Sequence, residues 1–191
     1  MAGKQAKILS EDQGERLLLF ASTTRNPIRN RVLVLLSLKA GLRAGEIANL
    51  TWPMVLDPGG DIAAVIELRN HAAKKKSGRV IAMHPDLRDA LASWRDAAVT
   101  VGPVVRSERG RPMTPVSIVN FFAIAYRAIG LVGCSSHSGR RTFITRAARL
   151  VHKAGGSLRD VQILAGHRSI QTTQRYIDGD SDAQRRLVAL I

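Results

Sequence analysis

The chain has one cysteine, Cys134, among 191 residues, so it cannot close an internal disulfide. It also lacks cysteine or histidine pairs at the spacing zinc ligands keep, which argues against a structural zinc site. No stretch approaches the roughly 18 consecutive apolar residues that a membrane-spanning helix requires. The opening residues, "MAGKQAKILSEDQ", have no apolar core of the kind a secretion signal carries, so the expectation is an intracellular chain. Internal repeats, low-complexity tracts and linkers rich in Pro, Gly or Ser are missing too. Residues 1–191 therefore read as a single domain, and 45% hydrophobic residues suffice for a proper core. Acidic residues are scarce as well: 15 Asp and Glu against 29 Lys and Arg leave a formal charge of +14. That exceeds what solubility requires and implies a polyanionic partner, either nucleic acid or an anionic membrane surface.

What is present is mostly helical grammar. "SEDQGERLLLFAS" opens with a capping box from Ser10 to Gln13 and continues with helical apolar spacing. "NPIRNRVLVLLSLKAG" places Asn26 as cap, Pro27 at the first helical position and Gly41 as stop around a strongly apolar body, which predicts the central buried helix. A short helix follows in "LRAGEIANLTW". Between Asp61 and His84 the pattern turns to β: "IAAVIEL", a polar turn centred on "KKKSG", then "RVIAMH", an antiparallel hairpin with a basic tip. Helices resume in "HPDLRDALASWRDAAV", "TPVSIVNFFAIAYRAIG", "HSGRRTFITRAARLV" and "SLRDVQILAG", and the remainder suggests two short helices broken at Gly179. The basic stretch from Gly102 to Pro112 is the candidate for a mobile crossing loop. The predicted class is mainly α with a small antiparallel sheet (α+β).

The chemistry begins with "HSGRRTFITRA", residues 137–147. His137 and Arg140 share a face at i and i+3 of a helix start, where backbone N–H groups also favour an anion. Arg presents a fork that matches two phosphate oxygens and stays charged at any accessible pH. Taken alone, Arg140 and Arg141 could equally line a solvated face. Arg43 projects from a packed region and needs an acidic or anionic partner; Glu46, three residues on, supplies a local one, and for Arg43 alone that pair is explanation enough. In "LAGHRSIQTTQRYID", His167 follows a helix-ending glycine, and Tyr176 stands among basic and polar neighbours. The only other tyrosine, Tyr126, lies in an apolar helical pattern and reads as core. Cations beside a phenol favour its ionised, nucleophilic form.

Together these residues resemble the catalytic domain of the tyrosine recombinase (phage integrase) family. "GLRAGE" with Arg43 and Glu46, the hairpin "AKKKSGRVIAMHP", "HSGR" with His137 and Arg140, "LAGH" with His167 and "TTQRY" with Tyr176 occur in the family's order. The resemblance implies a recombinase catalytic-domain fold and a DNA-breaking and rejoining enzyme that requires no metal and no nucleotide cofactor. Arg43, Arg140 and His167 would hold and neutralise the scissile phosphate. Tyr176 would attack it to leave a 3′-phosphotyrosyl link, His137 would exchange the tyrosine proton, and Lys74 would protonate the departing 5′ oxygen. Glu46 would brace the arginines. Lys75, Lys76, Arg79, Arg141, Arg168 and Arg175 would contact the DNA.

Three departures stand out. Gly139 sits inside an incipient helix, at some local cost. Three consecutive lysines leave Lys76 as an alternative to Lys74, and Ala82 stands where the family commonly has proline. The helical DNA-binding domain that usually precedes this one is expected to be absent from residues 1–191, which would then be either a fragment or a minimal form. The implied partners are double-stranded DNA and further copies of the chain, a tetramer on DNA, with no membrane; the implied place is cytoplasmic, at the nucleoid. A type IB topoisomerase and a non-catalytic DNA-binding module are the competing readings. The tail "DSDAQRRLVALI" is expected to form a short helix that docks on a neighbouring protomer when DNA is bound.

Overall fold

A computed structural model describes residues 6–73, 77–98, 100–176, 188, 189 and 191. The first helix, α1 (Glu11–Ser22), starts where its capping box requires: Ser10 accepts from the Gln13 N–H and the Gln13 side chain returns a bond to Ser10 N–H. Helix α2 (Pro27–Leu38) follows with proline in its first turn. Residues Val32 to Leu36 are sealed from solvent on every side, so α2 is the axis of the core, with α1 packed along it. Asn26 occupies the cap position of α2 but makes no side-chain capping bond; its amide donates instead to Glu108 Oε1 at 2.9 Å.

After α2 the chain turns at Gly41, whose φ of +62° is the left-handed conformation a side chain would resist, and enters α3 (Ala44–Ala48). Strands β1 (Val65–Leu68) and β2 (Arg79–Ala82) pair antiparallel, with Val65 opposite Ala82 and Leu68 opposite Arg79. Ile66, Leu68 and Ile81 face the core, while Glu67 and Val80 face out. The first strand is shorter than its apolar run: Ile62 is captured by a single bridge to Leu56, leaving regular pairing to begin at Val65. The predicted tip lysines lie outside the described residues.

Helices α4 (Pro85–Ala97) and α5 (Pro115–Ala128) close the main core, α4 against α2 and α5 against α1 and α3. The basic segment from Gly102 to Pro112 is anchored near its start. Val104 and Val105 are buried; Val104 N–H donates to Leu50 O at 2.8 Å, and Trp94 Nε1 donates to Val104 O at 2.8 Å. The last layer comprises α6 (Ser138–Leu150), α7 (Leu158–Ala165) and α8 (Ile170–Gln174). Ile144, Ala148, Val161 and Ala165 form a second, smaller apolar cluster there, against which Tyr176 packs. A Cβ on Gly139 would lie 2.2 Å from Ser37 Oγ, so the glycine that weakens α6 locally is what lets α6 cross α2 closely. Among the described residues no helix is long and apolar enough to cross a membrane. The expected break at Gly179 and nearly all of the segment expected to form a tail helix lie outside the described residues.

Candidate functional site

The turn at Gly41 has a chemical consequence. Leu42 N–H closes it onto Leu36 O at 3.0 Å, while Gly41 O accepts from Arg140 Nη1 at 2.6 Å. Arg140 lies in the first turn of α6, its other Nη donating to Ala165 O at 2.7 Å. The guanidinium is thus fixed by the ends of two helices, α2 and α7, and is buried. Burial, followed by the charge of Arg43, lowers its pKa to about 10, so it remains a cation at neutral pH without any carboxylate bound to it.

Arg43 is the N-cap of α3, and Glu46 folds back to accept from its backbone N–H at 3.0 Å and from its Nη1 at 2.6 Å. Arg79 enters from β2 and grips the same carboxylate twice, at 3.2 and 3.1 Å, while its Nε donates to Leu164 O at 2.9 Å. Burial alone would raise the pKa of Glu46, but the hydrogen bonds and charges of Arg79 and Arg43 outweigh it and hold the carboxyl down at about 2. Glu46 therefore braces Arg43 and Arg79. Arg140, which it was expected to brace as well, is held by backbone carbonyls instead.

This corrects the reading of Arg79 as a DNA contact. Its side chain is only 3% exposed and points inward, on the same face of β2 as Ile81. The strand's two-residue alternation carried that signal: a residue two positions from a core isoleucine shares its face.

His167 follows Gly166, which caps α7 with a φ of 64°. Its backbone is tied at both ends to Gln162: His167 N–H donates to Gln162 O at 3.1 Å and Gln162 Nε2 donates to His167 O at 2.9 Å. The ring lies between Arg140 Nη2 at 3.2 Å and Thr173 Oγ1 at 3.0 Å. Burial, then the charges of Arg140, Arg43 and Arg79, lower its pKa to about 4, so the imidazole is neutral at neutral pH. Tyr176 stacks on it, with ring centroids 5.4 Å apart and planes 25° apart. The sequence reading missed Gln162 and Thr173. Both are buried polar side chains, Gln162 in α7 and Thr173 in α8; the cue for Gln162 was a polar residue on an otherwise apolar face, and Thr173, in the polar run "IQTTQ", had none.

These side chains surround an open pocket of about 310 Å³, lined by Arg43, His137, Arg140, His167 and Tyr176, with Ala6, Arg141, Thr172 and Arg175 completing its wall. His137 is the N-cap of α6; its side chain makes no capping bond and borders the pocket. A second pocket of about 260 Å³ adjoins the first through Arg43, His167 and Thr172 and extends to Ser77 and Arg168. Five of the six expected catalytic residues therefore meet at one place. The sixth, Lys74, lies outside the described residues, as do Lys75 and Lys76. Of the remaining expected DNA contacts, Arg141, Arg168 and Arg175 lie at the pockets and Arg79 does not. Chemically, this is a site for a tetrahedral anion: the guanidiniums of Arg43 and Arg140 come from two separate elements, with two imidazoles beside them and a phenol on the edge.

Comparison with known proteins places the chain as a whole. The family model described as Phage integrase family matches residues 7–182. A tyrosine recombinase XerC from Erythrobacter litoralis is 30% identical over 192 residues, covering 97% of this chain and 58% of that protein. The crystal structure of XerA recombinase superposes with a TM-score of 0.77 at 25% identity, over 98% of this chain and 65% of that one. A Tn1549 transposon integrase in complex with a circular intermediate DNA gives a TM-score of 0.77 at 20% identity, over 100% of this chain and 67% of that one. The chain spans about half the length of the curated relatives it matches.

Proposed function

Because the chain belongs to the phage integrase family, we propose that residues 1–191 are the catalytic domain of a site-specific recombinase that cleaves and rejoins double-stranded DNA. The observation that carries this reading is the convergence of Arg43, His137, Arg140 and His167 on one pocket beside the ring of Tyr176.

The scissile phosphate occupies the pocket with its non-bridging oxygens on Arg43 and Arg140. Both guanidiniums are positioned before substrate arrives, so the charge that builds on phosphorus in the transition state meets donors that need no reorganisation. The Tyr176 oxygen forms a bond to phosphorus as its proton passes to His137. The bond from phosphorus to the 5′ oxygen breaks, and that oxygen takes a proton from Lys74, leaving a 3′-phosphotyrosyl link and a 5′-hydroxyl. Because the covalent link conserves the phosphodiester bond, a 5′-hydroxyl from another duplex reverses the step and exchanges strands. Assembly of several copies on DNA, a tetramer for two duplexes, and a place at the nucleoid in the cytoplasm belong to the same reading.

The test is a nicked suicide duplex that traps the covalent intermediate. The intact chain should form a denaturant-resistant adduct through the DNA 3′ end, and Tyr176→Phe should bind the duplex but form none. An adduct in Tyr176→Phe removes the assignment. Exchange of strands between two duplexes separates recombination from topoisomerase-like rejoining of one strand, and binding without any adduct leaves only a DNA-binding module.

A further inference from the structure

Thr173 is buried on α8, three residues before Tyr176, and nothing in the reaction described above uses it. Its Oγ1 lies 3.0 Å from His167 Nδ1, while His167 Nε2 lies 3.2 Å from Arg140 Nη2. A guanidinium offers only donors, so Nε2 must be the acceptor in that contact. A neutral imidazole carries one proton, which is then on Nδ1, with Thr173 Oγ1 as its acceptor. The geometry fixes the tautomer.

We propose that Thr173 is a positioning residue of the catalytic pocket: by accepting the Nδ1 proton it holds His167 with Nε2 turned to Arg140 and to the phosphate. The proposal rests on the phosphoryl-transfer reading of that pocket. Two further features support it. Burial and the surrounding cations Arg140, Arg43 and Arg79, offset only in part by Glu46, keep the free ring neutral, as the tautomer argument requires. The backbone carbonyl of Thr173 accepts the N–H of Tyr176 at 3.0 Å, so the main chain of the residue that meets the imidazole leads directly into the nucleophile.

The arrangement serves two states of the ring. Before phosphate binds, Nε2 accepts from Arg140. A phosphate oxygen arriving there brings negative charge, which favours a second proton on Nε2 and makes it a donor to that oxygen. The ring need not turn for this, because Nδ1–H is already held. Without the hydroxyl, Nδ1–H becomes a buried donor with its partner removed. The proton then shifts to Nε2, where it opposes the donors of Arg140 and displaces them.

The experiment combines nitrogen NMR of the histidine rings with cleavage of the suicide duplex, using the full chain. The wild type should show His167 protonated at Nδ1 and bare at Nε2. Thr173→Val, nearly the same shape, should lose that dominance and form adduct about tenfold more slowly or worse, since a misplaced imidazole proton is costly. Its duplex binding should be unchanged. Thr173→Ser, which keeps the hydroxyl and loses the methyl, should restore both tautomer and rate; a packing role would predict the reverse. The proposal is overturned if Thr173→Val keeps the Nδ1–H tautomer, or loses it and cleaves at the wild-type rate. A wild type that forms no adduct defeats the recombinase reading, and the tautomer comparison still decides whether Thr173 sets the ring.

Discussion

At the scale of the residue, the clearest dependence on pH belongs to Glu46. Its folded pKa of about 2 lies below the ordinary 4.5, so the unfolded chain binds the proton more readily. The stabilisation from this carboxylate is therefore complete above about 4.5 and is lost as the pH falls towards about 2. Glu46→Gln removes the charge and leaves Arg43 and Arg79 without their shared anion. Breaking a buried ion pair from one side costs roughly 3–5 kcal/mol, so urea denaturation at neutral pH should show a loss of that order. The gap between the two proteins should then narrow as the solution is acidified through that window. A gap that stays constant down to the acid limit would mean that the carboxylate's charge is not what holds the site together.

At the scale of the element, the crossing of α2 and α6 sets where Arg140 stands. Gly139→Ala would raise helix propensity by up to about 1 kcal/mol but push a methyl into Ser37, an overpacking that costs about 1–3 kcal/mol. The net expectation is a lower melting temperature, partly recovered when Ser37→Ala is added, because the two changes share one contact. Full additivity of the two would show that the helices do not meet there. This crossing also marks what a sequence can and cannot disclose. The starts of α1, α5 and α7 were legible because Ser10, Thr114 and Ser157 cap them with bonds confined to a few neighbouring residues. Arg43, His137, Arg140, His167 and Tyr176 were legible as a set through motif order, although nothing local announces their convergence. The inward turn of Arg79 depends on Glu46, 33 residues away. The anchoring of Val104, within the segment from Gly102 to Pro112, likewise depends on Leu50 and Trp94, so a basic composition disclosed neither. Gly139 looked like a defect because its reason, Ser37, lies on another helix.

At the scale of the molecule, under the proposed function the charge of +14 would act on a duplex before any single contact forms. Each phosphate neutralised by a cation releases counterions, so the logarithm of the binding constant falls with the logarithm of salt concentration by about 0.9 per contact. Arg168 and Arg175 are exposed, and each lines one of the two adjoining pockets, where the backbone of a bound duplex would run. Replacing either by Gln should weaken binding to duplexes of any sequence by a similar factor and flatten the salt dependence by about one unit. Arg79→Met makes the contrasting case. It removes one positive charge as well, but from the interior, where the guanidinium is committed to Glu46 and Leu164. Its cost should therefore appear in the denaturation curve and leave the salt slope as it was. Titrations of one labelled duplex at a series of salt concentrations separate the two classes of arginine. A slope that drops for Arg79→Met as it does for Arg175→Gln would return Arg79 to the DNA surface and undo its assignment as the partner of Glu46.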